Sequence, residues 1–396
     1  MHKQRCRIYL VLALLAFCFL SLCPVVKTPA KAEAEVNSRV HYIDVGQGDS
    51  TFVELPDGKT LLIDAGEENM GKRVVKYIKN LGYTKIDYLI ATHSDADHVG
   101  GMDRVFKEFE VATIYRPFTI SVYSGIKGFQ DELYSTFNEN LQNYPSEAGE
   151  EYAEFLSIAY QETVDGNLSQ IKVISSQEEI VSSDVNKPYF INFYWPTAVE
   201  YFSTNRITMG YTSLKQESNN DTSAVVEIMT TDSKFMWMGD LTEVGENTLL
   251  SSLSASDQIK FANVSVLKVG HHGSSSSTSQ ELLAVANPKF AIISVGEDNS
   301  YGHPSTITLE RLEKNGINVY RTDFLGTIIV EEKAGILYFS NIKTQTVFEK
   351  YAWAFYTVIA VVVVGIIAIC VIYPMVNKHK MRKQNSQKPV DKIKNS

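Results

Sequence analysis

Apolar residues in the first third of the chain fall in short alternating runs rather than long stripes. "RVHYIDVG" at 39–46, "STFVEL" at 50–55 and "KTLLIDAG" at 59–66 each fit a strand, and Pro56, Asp57 and Gly58 supply turn chemistry between the last two. From 71 to 81 the period lengthens, placing Val74, Val75, Ile78 and Leu81 on one face of a helix. "KIDYLIAT" at 85–92 is then a buried strand running into a cluster of aspartates and histidines. Strand patterns resume with "YFINFYWP", "SAVVEIMT" and "KFMWMGD", followed by a helix over 243–253. The last third alternates strands and helices through "VSVLKVG", "KFAIISVG", "INVYRTD", "GTIIVEE" and "ILYFS". Hairpins in both halves, combined with this alternation, predict an α/β sandwich whose loops gather at one edge.

Three stretches depart from that pattern. Residues 118–185 turn polar, acidic and aromatic, with helical periodicity near 129–141 and 150–162, and read as a helical insertion or lid. Residues 1–34 combine a basic start, an apolar run and small residues at cleavage spacing, the plan of a signal peptide, with an uncleaved anchor as the alternative. Residues 352–373 carry no charge, are bordered by Trp353, Tyr356 and Tyr373, and precede the basic tail 374–396. Hydropathy predicts a transmembrane helix there, and the positive-inside rule places the tail in the cytoplasm. The expected protein is single-pass in the cell membrane, with residues 35–350 as an extracellular domain.

Composition sharpens this picture in two ways. All four cysteines, at 6, 18, 23 and 370, lie in the apolar ends, so the central domain is built without disulfides. The chain has 37 basic and 46 acidic residues. Setting the ends aside leaves roughly 25 basic against about 44 acidic residues, a net charge near −19. A broad basic nucleic-acid-binding surface is thereby excluded.

Candidate chemistry sits where apolar strands end. In "ATHSDADHVGG" at 91–101, His93, Asp95, Asp97 and His98 alternate on a loop entering a helix. Imidazole nitrogens and carboxylate oxygens hold divalent transition metals, whereas the plainer reading is a polar turn with an aspartate cap. Asp240 ends a second strand, and His271 with His272 ends a third. Together they outline a two-metal site in which Asp240 bridges ions about 3.5–4 Å apart. The competing reading makes Asp240 a helix cap and one histidine of the pair a structural hydrogen-bonder. Asp49 and Asp64 fit an outer ring that orients loops or ligands. Lys268 is a candidate contact for an anionic substrate, and His303, at an apparent helix start, for substrate or leaving group.

These motifs resemble a known family. "THSDADHVGG", "GD" at 239–240, "HHGS" at 271–274, "YGHPS" at 301–305, "NDTS" at 220–223 and the opening "HYIDVGQGDSTFVELPDGKTLLIDAG" are similar to the metallo-β-lactamase superfamily, specifically its branch related to the C-terminal domain of the competence protein ComEC. The resemblance spans most of 40–340 except about 118–185. It implies an αββα sandwich and two divalent ions, zinc first and manganese as a tolerated alternative. It also implies that His93 and Asp95 serve one ion, Asp97 and His98 the other, that Asp240 bridges, and that one of His271 and His272 completes the second position. An aspartate at 95 is usual for that branch, while Asn220 and Ser223 stand roughly where other members carry a histidine, leaving the first ion thinly liganded. The implied function is a metal-dependent hydrolase, specifically a phosphodiesterase or nuclease acting on nucleic acid or a cell-envelope phosphodiester. Asp97, Lys268 and His303 are the candidates for catalytic contact. The alternative is a noncatalytic surface protein using the same fold for binding.

Overall fold

The computed structural model describes residues 36–117, 149–164, 166, 170–176, 178–196 and 220–342. The chain divides between Glu35 and Val36, and the described residues all belong to the second unit. Its first half runs β1 (Ser38–Tyr42), β2 (Thr51–Glu54), β3 (Thr60–Ile63), α1 (Gly71–Asn80), β4 (Lys85–Ile90), α2 (Ala96–Val99), α3 (Met102–Glu108) and β5 (Glu110–Arg116). Next come α4 (Glu150–Val164), β6 (Gln170–Val173), β7 (Glu179–Val181) and β8 (Phe190–Trp195). The second half runs β9 (Val225–Met229), β10 (Lys234–Trp237), α5 (Glu243–Ser252), α6 (Ala255–Phe261), β11 (Val266–Lys268), α7 (Gln280–Ala286) and β12 (Phe290–Ile293). It closes with α8 (Thr306–Lys314), β13 (Asn318–Arg321), α9 (Thr322–Leu325), β14 (Ile328–Lys333) and β15 (Ile336–Asn341).

The strands make an eight-stranded sheet, β15-β14-β1-β2-β3-β4-β5-β6, and a seven-stranded sheet, β13-β12-β11-β10-β9-β8-β7. Strand period decides how they stack. Along β10, Phe235 and Trp237 enter a core shared with Val40, Val53 and Leu61 of the other sheet, while the intervening Met236 points to the helices. Along β3, Leu61 and Ile63 face that same core and Leu62 faces helices. Because each sheet is covered on both faces, its inner strands read as continuous apolar runs rather than clean alternations. One helical layer packs Val74 and Ile78 of α1, Met102 and Val105 of α3, and Tyr152 and Phe155 of α4 on the first sheet. The other packs Leu249 of α5, Phe261 of α6, Leu282 of α7 and Leu312 of α8 on the second. The result is the α/β, αββα sandwich of the metallo-β-lactamase type.

The α1 stripe buries Val74, Val75 and Ile78, whereas Leu81 lies just past the helix and is exposed. Residues 118–148, with the predicted helix near 129–141, lie outside the described residues, while α4 buries Tyr152, Phe155, Leu156 and Ala159 in the first helical layer.

The membrane expectation is corrected. The described α-helices run from four to 15 residues, and among the described residues none is long and apolar enough to cross a membrane, for which about 20 apolar residues are needed. Among the described residues the α/β sandwich is therefore supported and a transmembrane helix is not, and the single-pass localisation that rested on that helix is unsupported with it. Residues 352–373, from which the expectation came, lie outside the described residues, as do 1–34 and 374–396.

Two short parallel groups set the position of the site. Ile63 of β3 pairs with Ile90 of β4, so these strands end level with one another. In the second sheet Trp237 pairs with Lys268 and Lys268 with Ile292, which brings the ends of β10, β11 and β12 together. The loops leaving these C-terminal ends carry the chemistry, in the crevice where open α/β sheets offer binding sites.

Candidate metal centre

Asp64 follows β3, His93 to His98 follow β4, Asp240 follows β10, and His271 and His272 follow β11. Main-chain hydrogen bonds lock these loops together: Asp49 N–H donates to Asp97 O at 3.1 Å, Ala65 N–H to His98 O at 2.7 Å, and His271 N–H to Gly239 O at 3.0 Å. Gly48 makes the first of these contacts feasible. Its φ is +126°, and a Cβ there would lie 2.4 Å from the Asp97 carbonyl oxygen. Only a glycine tolerates both the angle and the approach.

The capping alternatives do not describe this arrangement. Asp95 precedes α2, but its side chain makes no cap hydrogen bond, and its Oδ2 lies 3.7 Å from His93 Nε2. The N-cap position of α5 is held by Thr242, not Asp240. The buried Asp240 carboxylate instead faces histidines on several sides. His98 Nε2 is 3.2 Å from its Oδ1, while His272, His271 and His93 place Nε2 at 3.5, 3.6 and 3.9 Å from its Oδ2. Asp97 reaches the same centre, with Oδ2 3.1 Å from His272 Nε2 and Oδ1 4.0 Å from His98 Nε2. The structure thus brings His93, Asp95, Asp97, His98, Asp240, His271 and His272 together.

The opposite edges of three of the rings, His93, His98 and His272, are anchored. His98 Nδ1 lies 2.8 Å from Asp64 Oδ2, and Asp64 is itself held by the Thr92 N–H and hydroxyl at 2.8 and 2.7 Å. His272 Nδ1 donates to the Ser294 carbonyl at 3.1 Å, and His93 Nδ1 lies 3.1 Å from Thr92 Oγ1. Ser223 Oγ accepts the Asp240 N–H at 3.0 Å. Fixing one nitrogen of each ring orients the other as a ligand. The backbone is strained at this place: Asp64, His271 and His272 have φ of 56°, 50° and 53°, the left-handed region that costs non-glycine residues energy and recurs at functional sites.

Lys268 is placed differently from the sequence expectation. Its side chain is 1% exposed, and its ammonium sits 2.6 Å from Asp49 Oδ2 and donates to Val269 O at 3.0 Å. So buried, it meets Asp49 and is not among the residues that line the cavity over the cluster. Burial alone would raise the Asp49 carboxyl, but Lys268 and His272 outweigh that and hold it at about 2. Asp49 in turn lies 3.3 Å from His272 Nδ1, behind the ring edge that meets Asp240 and Asp97.

A cavity of about 500 Å³ opens onto the cluster, and Asp95, Asp97, Asp240, His271 and His272 share its lining with Gln47, Glu67, Glu151, Asn220, Tyr301 and His303. His303 stacks on Tyr301 with ring centroids 5.7 Å apart and lies 5.5 Å from the His271 ring. Its Nδ1 is buried without a partner. Thr92, Tyr301 and Gln47 escape the sequence reading, although Tyr301 stands inside the "YGHPS" motif and Gln47 inside "VGQGD". The Ser294 carbonyl has no signature in residue type at all.

The residues present fit a divalent cation. His93 Nε2, His98 Nε2, His272 Nε2 and Asp240 Oδ1 are buried with no hydrogen-bond partner, although oppositely charged groups lie within 4 Å. Buried polar atoms without partners are rare and costly. Asp49, His98, Asp240 and His272 each offer a ligand atom within 4.8 Å of the others. Electrostatics point the same way. Burial disfavours a charged His98 and His272, yet Asp240, with Asp64 at one ring and Asp49 at the other, raises both well above the usual imidazole range. Burial would likewise raise Asp97 and Asp240, and the facing imidazoles pull both below the carboxylate range. The cluster concentrates negative charge around nitrogen donors, the chemistry of a divalent-cation site.

Comparison with known proteins agrees with this geometry. Residues 43–155 match the Metallo-beta-lactamase superfamily. The chain is 30% identical over 308 residues to the ComE operon protein 3 of Bacillus subtilis (strain 168), covering 73% of this chain and 32% of that one. It is 23% identical over 299 residues to the competence protein ComA of Neisseria gonorrhoeae, covering 75% and 33%. A ribonuclease Z of Nanoarchaeum equitans (strain Kin4-M) is 33% identical over 101 residues, 25% of this chain and 31% of that one. The chain spans about a third of the length of these relatives. The second unit of this chain therefore carries a metallo-β-lactamase domain, similar in sequence to the ComEC-like competence proteins.

Proposed function

We propose that this chain is a binuclear metal-dependent hydrolase acting on phosphodiesters, with nucleic acid or a cell-envelope phosphodiester as substrate. The observation that carries the reading is the convergence of unpartnered, buried imidazole nitrogens on Asp240 at the base of an open cavity. His93 and Asp95 would hold one ion, Asp97, His98 and His272 the other, and Asp240 would touch both. Zinc suits the nitrogen donors, and manganese the carboxylate-rich first position. When bound, two such ions supply Lewis acidity, lower the pKa of a water and neutralise charge on phosphoryl oxygens.

The chain's own residues supply order around that chemistry. Asp64 and the Ser294 carbonyl hold His98 and His272 in the tautomer whose Nε2 faces inward. Ser223 fixes the main chain of Asp240. His303, against Tyr301 in the cavity wall, stands where it meets a substrate or leaving group. The central domain is acidic, so a phosphodiester is drawn by the ions and the local pocket rather than by an overall field. The name of the ribonuclease Z relative, an enzyme of RNA phosphodiesters, supports the substrate class.

The test is a metal determination on the purified full chain, with hydrolysis of bis(p-nitrophenyl) phosphate measured beside an Asp240→Ala variant. About two ions per chain and turnover lost in the variant are expected. No bound metal, and no turnover after zinc or manganese is added, would replace this reading with the binding protein.

A further inference from the structure

We propose that His271 is the imidazole ligand of the first metal position, beside His93 and Asp95, while His272 serves the second, so that two adjacent residues are divided between two ions. The inference rests on the two-ion reading above and supplies the donor that the first position lacks.

The middle segment provides no imidazole. Asn220 and Ser223 stand there, and Ser223 Oγ is engaged by the Asp240 N–H. Among the histidines of the described residues, His41 lies under α1, bound to Tyr77 and Glu54, and only His271 and His303 lie near the cluster without an assigned position. His303 shows no contact with Asp240 within 4 Å, whereas His271 Nε2 is 3.6 Å from Asp240 Oδ2. The same oxygen lies 3.9 Å from His93 Nε2, which is 3.7 Å from Asp95 Oδ2. These separations exceed hydrogen-bond length. They suit donors sharing one ion: with metal–ligand bonds near 2.1 Å, tetrahedral ligands stand roughly 3.4 Å apart.

The backbone explains how neighbours can face different positions. His271 (φ 50°, ψ 47°) and His272 (φ 53°, ψ 22°) both occupy the left-handed region, and their rings lie 72° apart in plane with centroids separated by 6.1 Å. His272 thereby reaches Asp97 at 3.1 Å, and His271 lines the cavity on the open side of Asp240. The two also differ in support. His272 Nδ1 is held by the Ser294 carbonyl, whereas His271 Nδ1 is buried without a partner. Ligands lacking an outer partner bind metal more weakly, so the first position is the more readily exchanged.

The experiment is zinc titration of the full chain with metal analysis, and the visible spectrum after cobalt(II) replacement, for the wild type, His271→Gly and His272→Gly. Glycine removes the ring while relaxing the left-handed backbone, so folding is preserved, as circular dichroism would verify. The wild type is expected to hold about two equivalents of unequal affinity. His271→Gly should weaken the looser equivalent by more than about 100-fold and keep the tighter one, with free imidazole restoring the loss. His272→Gly should lose the tighter equivalent. A wild type with two equivalents and a His271→Gly variant that keeps both at unchanged affinity overturns this inference alone. A wild type that holds fewer than two overturns the proposed function, and this inference with it.

Discussion

His98 is gripped from both edges of its ring, with Nδ1 2.8 Å from the Asp64 carboxylate and Nε2 3.2 Å from Asp240. The first contact is a hydrogen bond that selects the tautomer. The second lacks hydrogen-bond alignment and leaves Nε2 free to ligate. The ring's role therefore depends on a carboxylate placed on the far side from the centre.

Asp64→Asn tests that dependence. Asparagine tolerates the positive φ of 56° that Asp64 adopts, so the backbone should persist. Loss of the carboxylate is expected to weaken metal binding by roughly 10–100-fold, as removal of an outer partner does. Competition against a chelator of known affinity reads the change. Unaltered affinity would mean that Asp64 is structural only.

Lys268→Met tests the buried pair with Asp49. The substitution keeps volume but leaves a carboxylate buried beside the His272 ring with no ammonium. A destabilisation of about 3–5 kcal/mol is expected from urea denaturation at neutral pH. Adding Asp49→Asn should recover part of it, because the uncompensated charge is then gone. A loss confined to turnover, with stability unchanged, would instead return Lys268 to the role of substrate contact.

Glu246 sets a pH dependence away from the metal ligands. It is buried under the loop that follows His272, accepting the Thr278 and Ser279 N–H groups at 2.5 and 2.8 Å. Burial, only partly offset by those hydrogen bonds, raises its pKa from 4.5 to about 7. Between those values the folded chain keeps a proton that the unfolded chain has released, so stability falls as pH rises from 4.5 to about 7 and levels off above. The change amounts to at most roughly 3 kcal/mol. Denaturation midpoints of wild type and Glu246→Gln across pH 5–8 read it; equal slopes in the two proteins would rule the mechanism out.

Much of this centre was legible because its histidines and aspartates punctuate apolar strands. His93, Asp240 and His272 stand at points where a buried run stops, and strand ends collect at one edge in any parallel arrangement. Lys268 sits otherwise than its residue type suggested, for a related reason. A lysine at a strand end suggested a contact for an anionic substrate, but its place between Trp237 and Ile292 buries it against Asp49. The division of His271 from His272 was not legible, since it depends on two left-handed residues in succession. Neither was the Ser294 carbonyl, because main-chain acceptors belong to every residue type. Helix α4 illustrates the remaining gap: its helical periodicity was legible within the expected insertion, but the packing of Tyr152 and Phe155 with Val105 and Phe106 of α3 was not, because only the folded layers create it.

The clustered side chains come from loops far apart in the chain: His98 and its neighbours leave the first sheet, Asp240 and the histidine pair the second. A cation gripped between His98 and His272 would act as a cross-link, closing a long loop of the polypeptide and restricting its unfolded ensemble much as a disulfide does. The central domain has no cysteine with which to make such a link covalently. Metal supply would then govern how long the two sheets stay joined as well as whether the centre can act.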